Sequence, residues 1–136
     1  LFNNGNQSIS NNTFTALTFN SETFDTNTFH DTSSNTSRIT IPAGYGGKYL
    51  ILGIYVMQQN STGVRLFRFN KNGSILCNTT TVAATSYEIS GSLSTIESLS
   101  AGDYIEFMAY QDSGTSLNIK GDTQPQTVFS ISYLGA

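Results

Sequence analysis

Charge is what this chain has least of. Only 11% of its 136 residues are charged, six basic against nine acidic, for a net charge of −3. That excludes a nucleic-acid binder working through a basic face, and equally a charge-rich disordered chain. Cys77 is the sole cysteine, so neither an internal disulfide nor a cysteine-based zinc site is possible. There is one histidine, His30, and no tryptophan. The longest apolar run, Tyr49 to Met57, is too short to span a membrane as a helix. Serine, threonine, asparagine and glycine do the solvating that charge does elsewhere.

What is present is strand chemistry. The length suits one domain with a real core. In the run from Tyr49 to Met57 one alternate set is Tyr49, Ile51, Gly53, Tyr55 and Met57, and the other is Leu50, Leu52, Ile54 and Val56. Successive strand side chains point to opposite faces, so both faces of this strand are apolar, whereas a sandwich strand needs only one buried face. The spare face calls for a cover, and a second copy of the chain is the expected one. The segment Tyr104 to Tyr110 divides the same way, into a core-like set (Ile105, Phe107, Ala109) and an outer set (Tyr104, Glu106, Met108, Tyr110). Tyrosine and methionine are enriched at interfaces. The expected subunit interface is therefore Tyr49, Tyr55, Met57, Tyr104, Met108 and Tyr110.

Residues 1–13 are polar and read as an N-terminal arm or linker, and 14–136 as the single domain. The chain begins Leu1-Phe2 and is expected to be a C-terminal piece of a longer one. Strands are expected at Phe14 to Phe19, Ser37 to Ile41 (stopped by Pro42), Tyr49 to Met57 and Val64 to Phe69. Asn72-Gly73 is a strong hairpin signal, followed by a return strand Ser74 to Asn78. Further strands are expected at Ser86 to Ile89, Leu93 to Leu99, Tyr104 to Tyr110, Ser116 to Ile119 and Thr127 to Leu134. Asn20 to Ser37 reads as a long connection. Eight to ten short strands with regular turns and no helical periodicity imply an all-β sandwich of two antiparallel sheets.

Motifs for chemistry are sparse. His30 with Asp25 or Asp31 has the composition of a nucleophile-activating group, but no Gly-x-Ser-x-Gly elbow accompanies it, and a loop histidine bonded to Asp31 or to the backbone is the plainer reading. Glu88, Glu97 and Glu106 show no glycosidase-like pairing, and no phosphate loop occurs. Asp103, Asp112 and Asp122 lie at turns and are the only calcium candidates. No cofactor is expected. Arg65, Arg68 and Lys71 with Phe67 have the composition of a ligand patch, and the plainer reading is that Arg65 and Arg68 solvate opposite sides of an edge strand.

Four segments carry a family resemblance: Ile39-Thr-Ile-Pro42 with Gly47-Lys-Tyr49, Phe69 to Gly73, Leu99-Ser-Ala-Gly-Asp-Tyr-Ile-Glu-Phe107, and Phe129-Ser-Ile-Ser-Tyr-Leu134. In this order they resemble the globular heads of the complement one-q and tumour-necrosis-factor superfamily. The Phe24-Asp25 and His30-Asp31 region and the polar composition look more like its phage and bacterial versions. The resemblance implies a ten-stranded jelly roll forming a homotrimer, often at a fibre tip, without catalysis. The implied setting is a virion or an extracellular surface. The implied partners are other virion or fibre proteins and a host-surface protein or glycan, with no nucleic acid and no membrane insertion. The loops expected to meet a ligand are Gln58 to Gly63, Thr79 to Thr85, Gln111 to Thr115 and Lys120 to Gln126. Capsid decoration or fibre capping is the alternative role.

Overall fold

The computed structural model describes residues 1–122 and 126–136, and contains no helix among them. Ten strands follow in order: β1 (Gln7–Ile9), β2 (Thr15–Ala16), β3 (Arg38–Thr40), β4 (Gly47–Met57), β5 (Asn60–Lys71), β6 (Ser74–Ala84), β7 (Ile89–Leu99), β8 (Tyr104–Gln111), β9 (Leu117–Ile119) and β10 (Val128–Gly135). They form two antiparallel sheets of five strands. In the first, β4 is central. β7 lines one side of it from Gly47 to Met57, while β10 and then β9 share the other side, and β1 lies outside β9. In the second, β2 and β3 both pair with β8, which pairs with β5, which pairs with β6.

The sheets meet through alternate residues. Ile105, Phe107 and Ala109 of β8 are fully buried, as expected, with Phe67 and Phe69 of β5 and Phe129 of β10. Phe107 sits among three phenylalanines, with ring centroids 6.0 Å from Phe67, 5.2 Å from Phe69 and 5.9 Å from Phe129. All three pairs are tilted, an arrangement that ring quadrupoles favour at such separations. Two glycines make room for this layer. A Cβ on Gly53 would come 2.7 Å from the Phe107 ring, and one on Gly91 would come 2.5 Å from the Tyr55 hydroxyl.

Local chemistry sets the connections. Asn72 and Gly73 have φ of 51° and 80°, both positive as a two-residue type I′ hairpin requires. The connection from Asn20 to Ser37 is pinned by His30. Its Nδ1 lies 2.9 Å from the Arg38 carbonyl and its Nε2 2.8 Å from the Phe19 carbonyl. Both partners are carbonyl acceptors, and which ring nitrogen donates depends on the tautomer.

Several boundaries differ from expectation. Residues 1–13, read as an arm or linker, lie as an arm along the first sheet, where they contribute β1, and Phe2 bridges Ser21 and Val128. The strand expected at Phe14 to Phe19 shrinks to Thr15–Ala16: the Leu17 N–H still donates to the Phe107 carbonyl of β8, but the Phe19 N–H donates to the Thr36 carbonyl instead. Thr79 to Ala84, expected as loop, continues β6, where threonine and valine favour a pleated surface. The two segments expected between Ser86 and Leu99 merge into β7. Arg65 does not face solvent. It is wholly buried on β5, an interior strand, and its guanidinium donates to the carbonyls of Thr62, Val64 and Asn60. Burial lowers its pKa, and Asp112 opposes that shift.

Two predictions follow from these contacts. Gly53→Ala overpacks the Phe107 contact and lowers stability by about 1–3 kcal/mol, read from the urea midpoint at fixed protein concentration. The second concerns the turns joining β5 to β6 and β7 to β8. Asp103 accepts the Ser100 N–H at 2.8 Å and the Asn72 amide at 2.7 Å, with Lys71 Nζ at 3.4 Å. These partners, Ser100 first, hold the Asp103 carboxyl below its ordinary range. A carboxyl so depressed adds stability above its unfolded pKa of about 3.9 and loses it as pH falls through the folded value. Asp103→Asn is therefore expected to flatten the acid limb of a stability-versus-pH curve.

Candidate functional site

The pleat of β4 separates two unlike faces. The inner residues are Tyr49, Ile51, Gly53, Tyr55 and Met57, and the outer ones are Lys48, Leu50, Leu52, Ile54 and Val56. This corrects the expected interface. Tyr49, Tyr55 and Met57 are 1%, 3% and 0% exposed within a single chain, so a neighbouring subunit has nothing to touch. Each phenol finds an internal partner, as a buried tyrosine requires. The Tyr49 hydroxyl donates to the Tyr45 carbonyl, and Tyr55 stacks on Phe67 at 3.6 Å with its hydroxyl 3.0 Å from Thr81 Oγ1. Burial, then Tyr133 and Tyr45, push the Tyr49 pKa up.

The other half of the expected interface lies elsewhere. β8 belongs to the second sheet, so it shares no patch with β4. Tyr104, Met108 and Tyr110 are half-buried on the outer face of that sheet. The Arg38 guanidinium lies 4.9 Å over the Tyr104 ring, and Phe14 lies 4.9 Å from Tyr110.

The face left bare is the aliphatic one. Leu50 is 37% exposed, Ile54 39% and, beside Leu50 on β7, Ile96 62%. Leu52 and Val56 continue the stripe, and Val128 on β10 adjoins Ile54. Small hydroxyls rim it: Ser90, Ser92, Ser94 and Ser98 on β7, and Ser130 and Ser132 on β10. Apart from Ile96, Val128 and Leu134, the outward residues of β7 and β10 are serines, and none of them is charged. Only Lys48, at the β10 end, carries charge, and its ammonium is held by the Ala136 carbonyl at 2.9 Å.

Two clefts complete the candidate surfaces. The larger, of 740 Å³, runs between the residues 23–30 connection and β10, with Phe24, Phe29, Tyr45, Ile131 and Tyr133 among its walls. Phe24 stands 81% exposed at its mouth. The smaller, of 160 Å³, is polar and lies between residues 28–35 and the outer face of β3 at Arg38 and Thr40.

The chemistry-bearing residues are dispersed. His30 is buried in its carbonyl clamp, Asp25 accepts the His30 main-chain N–H at 2.8 Å, and Asp31 accepts from Ser33 and Ser34. Those serine bonds lower the Asp31 pKa. Asp103 and Asp112 stand at opposite ends of β8, and Asp112 accepts the Val64 N–H. Glu88 pairs with Lys120, and Glu97 with Lys71. Among the described residues no group of three or more metal-ligating side chains converges. Of the loops expected to meet a ligand, Thr79 to Ala84 is strand, and Lys120 to Gln126 includes residues 123–125, which lie outside the described residues.

Neither a family model nor a characterised protein matches this chain.

The larger cleft is not legible in the sequence because its walls come from four separated stretches, Leu1, residues 23–30, residues 39–49 and residues 128–133. The available signal was Phe24 and Phe29, two phenylalanines in an otherwise polar connection. The division of β4 is testable by paired substitution. Met57→Ala is expected to cost about 2–5 kcal/mol, whereas Ile54→Ser costs under about 1 kcal/mol in the dissociated chain, both by chemical denaturation.

Proposed function

We propose that this chain is a jelly-roll head domain that assembles as a homotrimer on a virion or extracellular fibre and serves attachment to a host-surface protein or glycan. The observation that carries the reading is the serine-rimmed aliphatic stripe on the outer face of the first sheet. Burying one such side chain completely gains about 1.5–3 kcal/mol, and the stripe supplies several on one nearly flat surface. A second copy of the chain is the proposed cover. The stripe is almost free of charge, and small serines on both sides let a neighbour approach closely without leaving ions unpaired.

The jelly-roll reading rests on strand order. From β6 the chain crosses to the first sheet for β7, back to the second for β8, and again to the first for β9 and β10, as Greek-key winding requires. The number three and the fibre setting rest on the four segments that resemble complement one-q and tumour-necrosis-factor heads. The proposed role needs no catalytic group, because attachment through repeated weak contacts gains strength from copy number.

Light scattering is expected to give a mass near three times 14.7 kDa. Leu50→Glu combined with Ile54→Glu places charge in the stripe and yields a monomer with an unchanged far-ultraviolet circular dichroism spectrum. A wild-type monomer at micromolar concentration contradicts the assembly. Deletion that lowers particle heat resistance while leaving attachment intact favours capsid decoration or fibre capping instead.

A further inference from the structure

Six cations occur in the chain, and four have polar partners. Lys71 meets Glu97 and Asp103, Lys120 meets Glu88, Lys48 donates to the Ala136 carbonyl, and Arg65 donates to three carbonyls. Among the described residues, the side chains of Arg38 and Arg68 make no hydrogen bond and no ion pair. Each lies instead on an aromatic ring, Arg38 at 4.9 Å from the Tyr104 centroid and Arg68 at 3.6 Å from that of Phe14.

These two arginines share the outer face of the second sheet with two further unpaired groups. Register places Arg38, Glu106 and Asn70 side by side across β3, β8 and β5, and Arg68 follows in the next outer row, opposite Met108. The Glu106 carboxylate makes no hydrogen bond or ion pair among the described residues. Asn70 is only 4% exposed, and its Oδ1 is buried without a partner, as is the Nε of both arginines. Arg65 also has an unpartnered Nε, but its terminal nitrogens are satisfied by carbonyls. Buried polar groups are nearly always paired, and leaving one unpaired is costly. A chain this poor in charge has gathered two guanidinium groups, a carboxylate and a buried amide on one face and paired none of them. The 160 Å³ polar cleft opens directly beside Arg38.

We propose that this face binds an acidic saccharide, one carrying a carboxylate or a sulfate. The acid oxygens accept from the Arg38 and Arg68 forks, whose planar geometry matches such groups, while the Tyr104 and Phe14 rings hold the forks in place from behind. Sugar hydroxyls donate to Glu106 and, after a small side-chain adjustment, to Asn70 Oδ1. On the sheet face two cations stand against one carboxylate, and Asp31 in the adjoining cleft already accepts from Ser33 and Ser34, so the arginines favour an anionic ligand over a neutral one. The unpaired acceptors call for hydroxyl donors, which a bare inorganic anion does not offer. This inference rests on the attachment reading and names the ligand class and its place.

The test uses the intact oligomer. Sialyllactose and a sulfated heparin-derived hexasaccharide are titrated by calorimetry, with lactose as the neutral control. At least one acidic saccharide is expected to bind, with lactose about tenfold weaker or worse. Arg38→Gln and Arg68→Gln are each expected to weaken binding about tenfold or more, and Glu106→Gln to weaken it less, with oligomer mass and thermal midpoint unchanged. Which acidic probe binds separates carboxylate from sulfate recognition. Undiminished binding by both arginine variants overturns this site while leaving attachment standing. Equal affinity for lactose overturns the acidic specificity. If the folded oligomer binds none of the probes yet still adheres to host cells, the saccharide proposal fails and attachment rests on a protein receptor. If it neither binds nor adheres, both readings fail.

Discussion

Which face of β4 turns inward is decided by where ring-sized gaps lie. Gly53 leaves space over which the Phe107 ring packs, and Gly91, beside Tyr55 on the neighbouring strand, leaves space for its phenol. A side chain at either position meets an aromatic atom at less than 3.0 Å. The outer residues Leu50, Leu52, Ile54 and Val56 offer no such complement. Because strand side chains alternate, turning Phe107 and Tyr55 into the core also fixes every other residue of β4. Four phenylalanines from both sheets then close over this layer, and the aliphatic set is left outside.

That constraint explains how much of the molecule was legible in the chain. Two apolar faces on one strand were visible from alternation alone. Choosing between the faces was not, because tyrosine at 49 and 55 fits an interface as well as a core whose hydroxyls find partners. The deciding information sat in Gly53 and Gly91, and a glycine's meaning depends on which ring lies opposite it. Turn chemistry was more local and therefore readable: Asn72-Gly73 forms the hairpin that its dipeptide implies. The length of β6 was not readable, since Thr79 to Ala84 is threonine-rich and becomes strand only because β5 runs alongside it.

The polar surfaces were the least legible. Arg38 and Arg68 are thirty positions apart in the chain and come together only because β8 and β5 adjoin. Phe24 and Tyr133 meet across a cleft for the same reason. Sequence spacing carries little information about groups that meet through sheet pairing at high separation, and most contacts that shape the candidate surfaces are of that kind.

The two sheets thus present opposite chemistries to the outside. The first offers aliphatic side chains and serines, nearly free of charge, and the second offers unpaired arginines on aromatic rings with a carboxylate between them. Because the sheets stack face to face, these surfaces point in opposite directions. A copy that covers the first leaves the second turned away from the assembly and open. Association through the aliphatic stripe would therefore place the arginine faces around the periphery at a fixed spacing, the arrangement in which individually weak contacts add. The scarcity of charge elsewhere serves the same division. With few competing ions on the surface, an anionic group approaching this face would meet the unpaired guanidinium groups of Arg38 and Arg68.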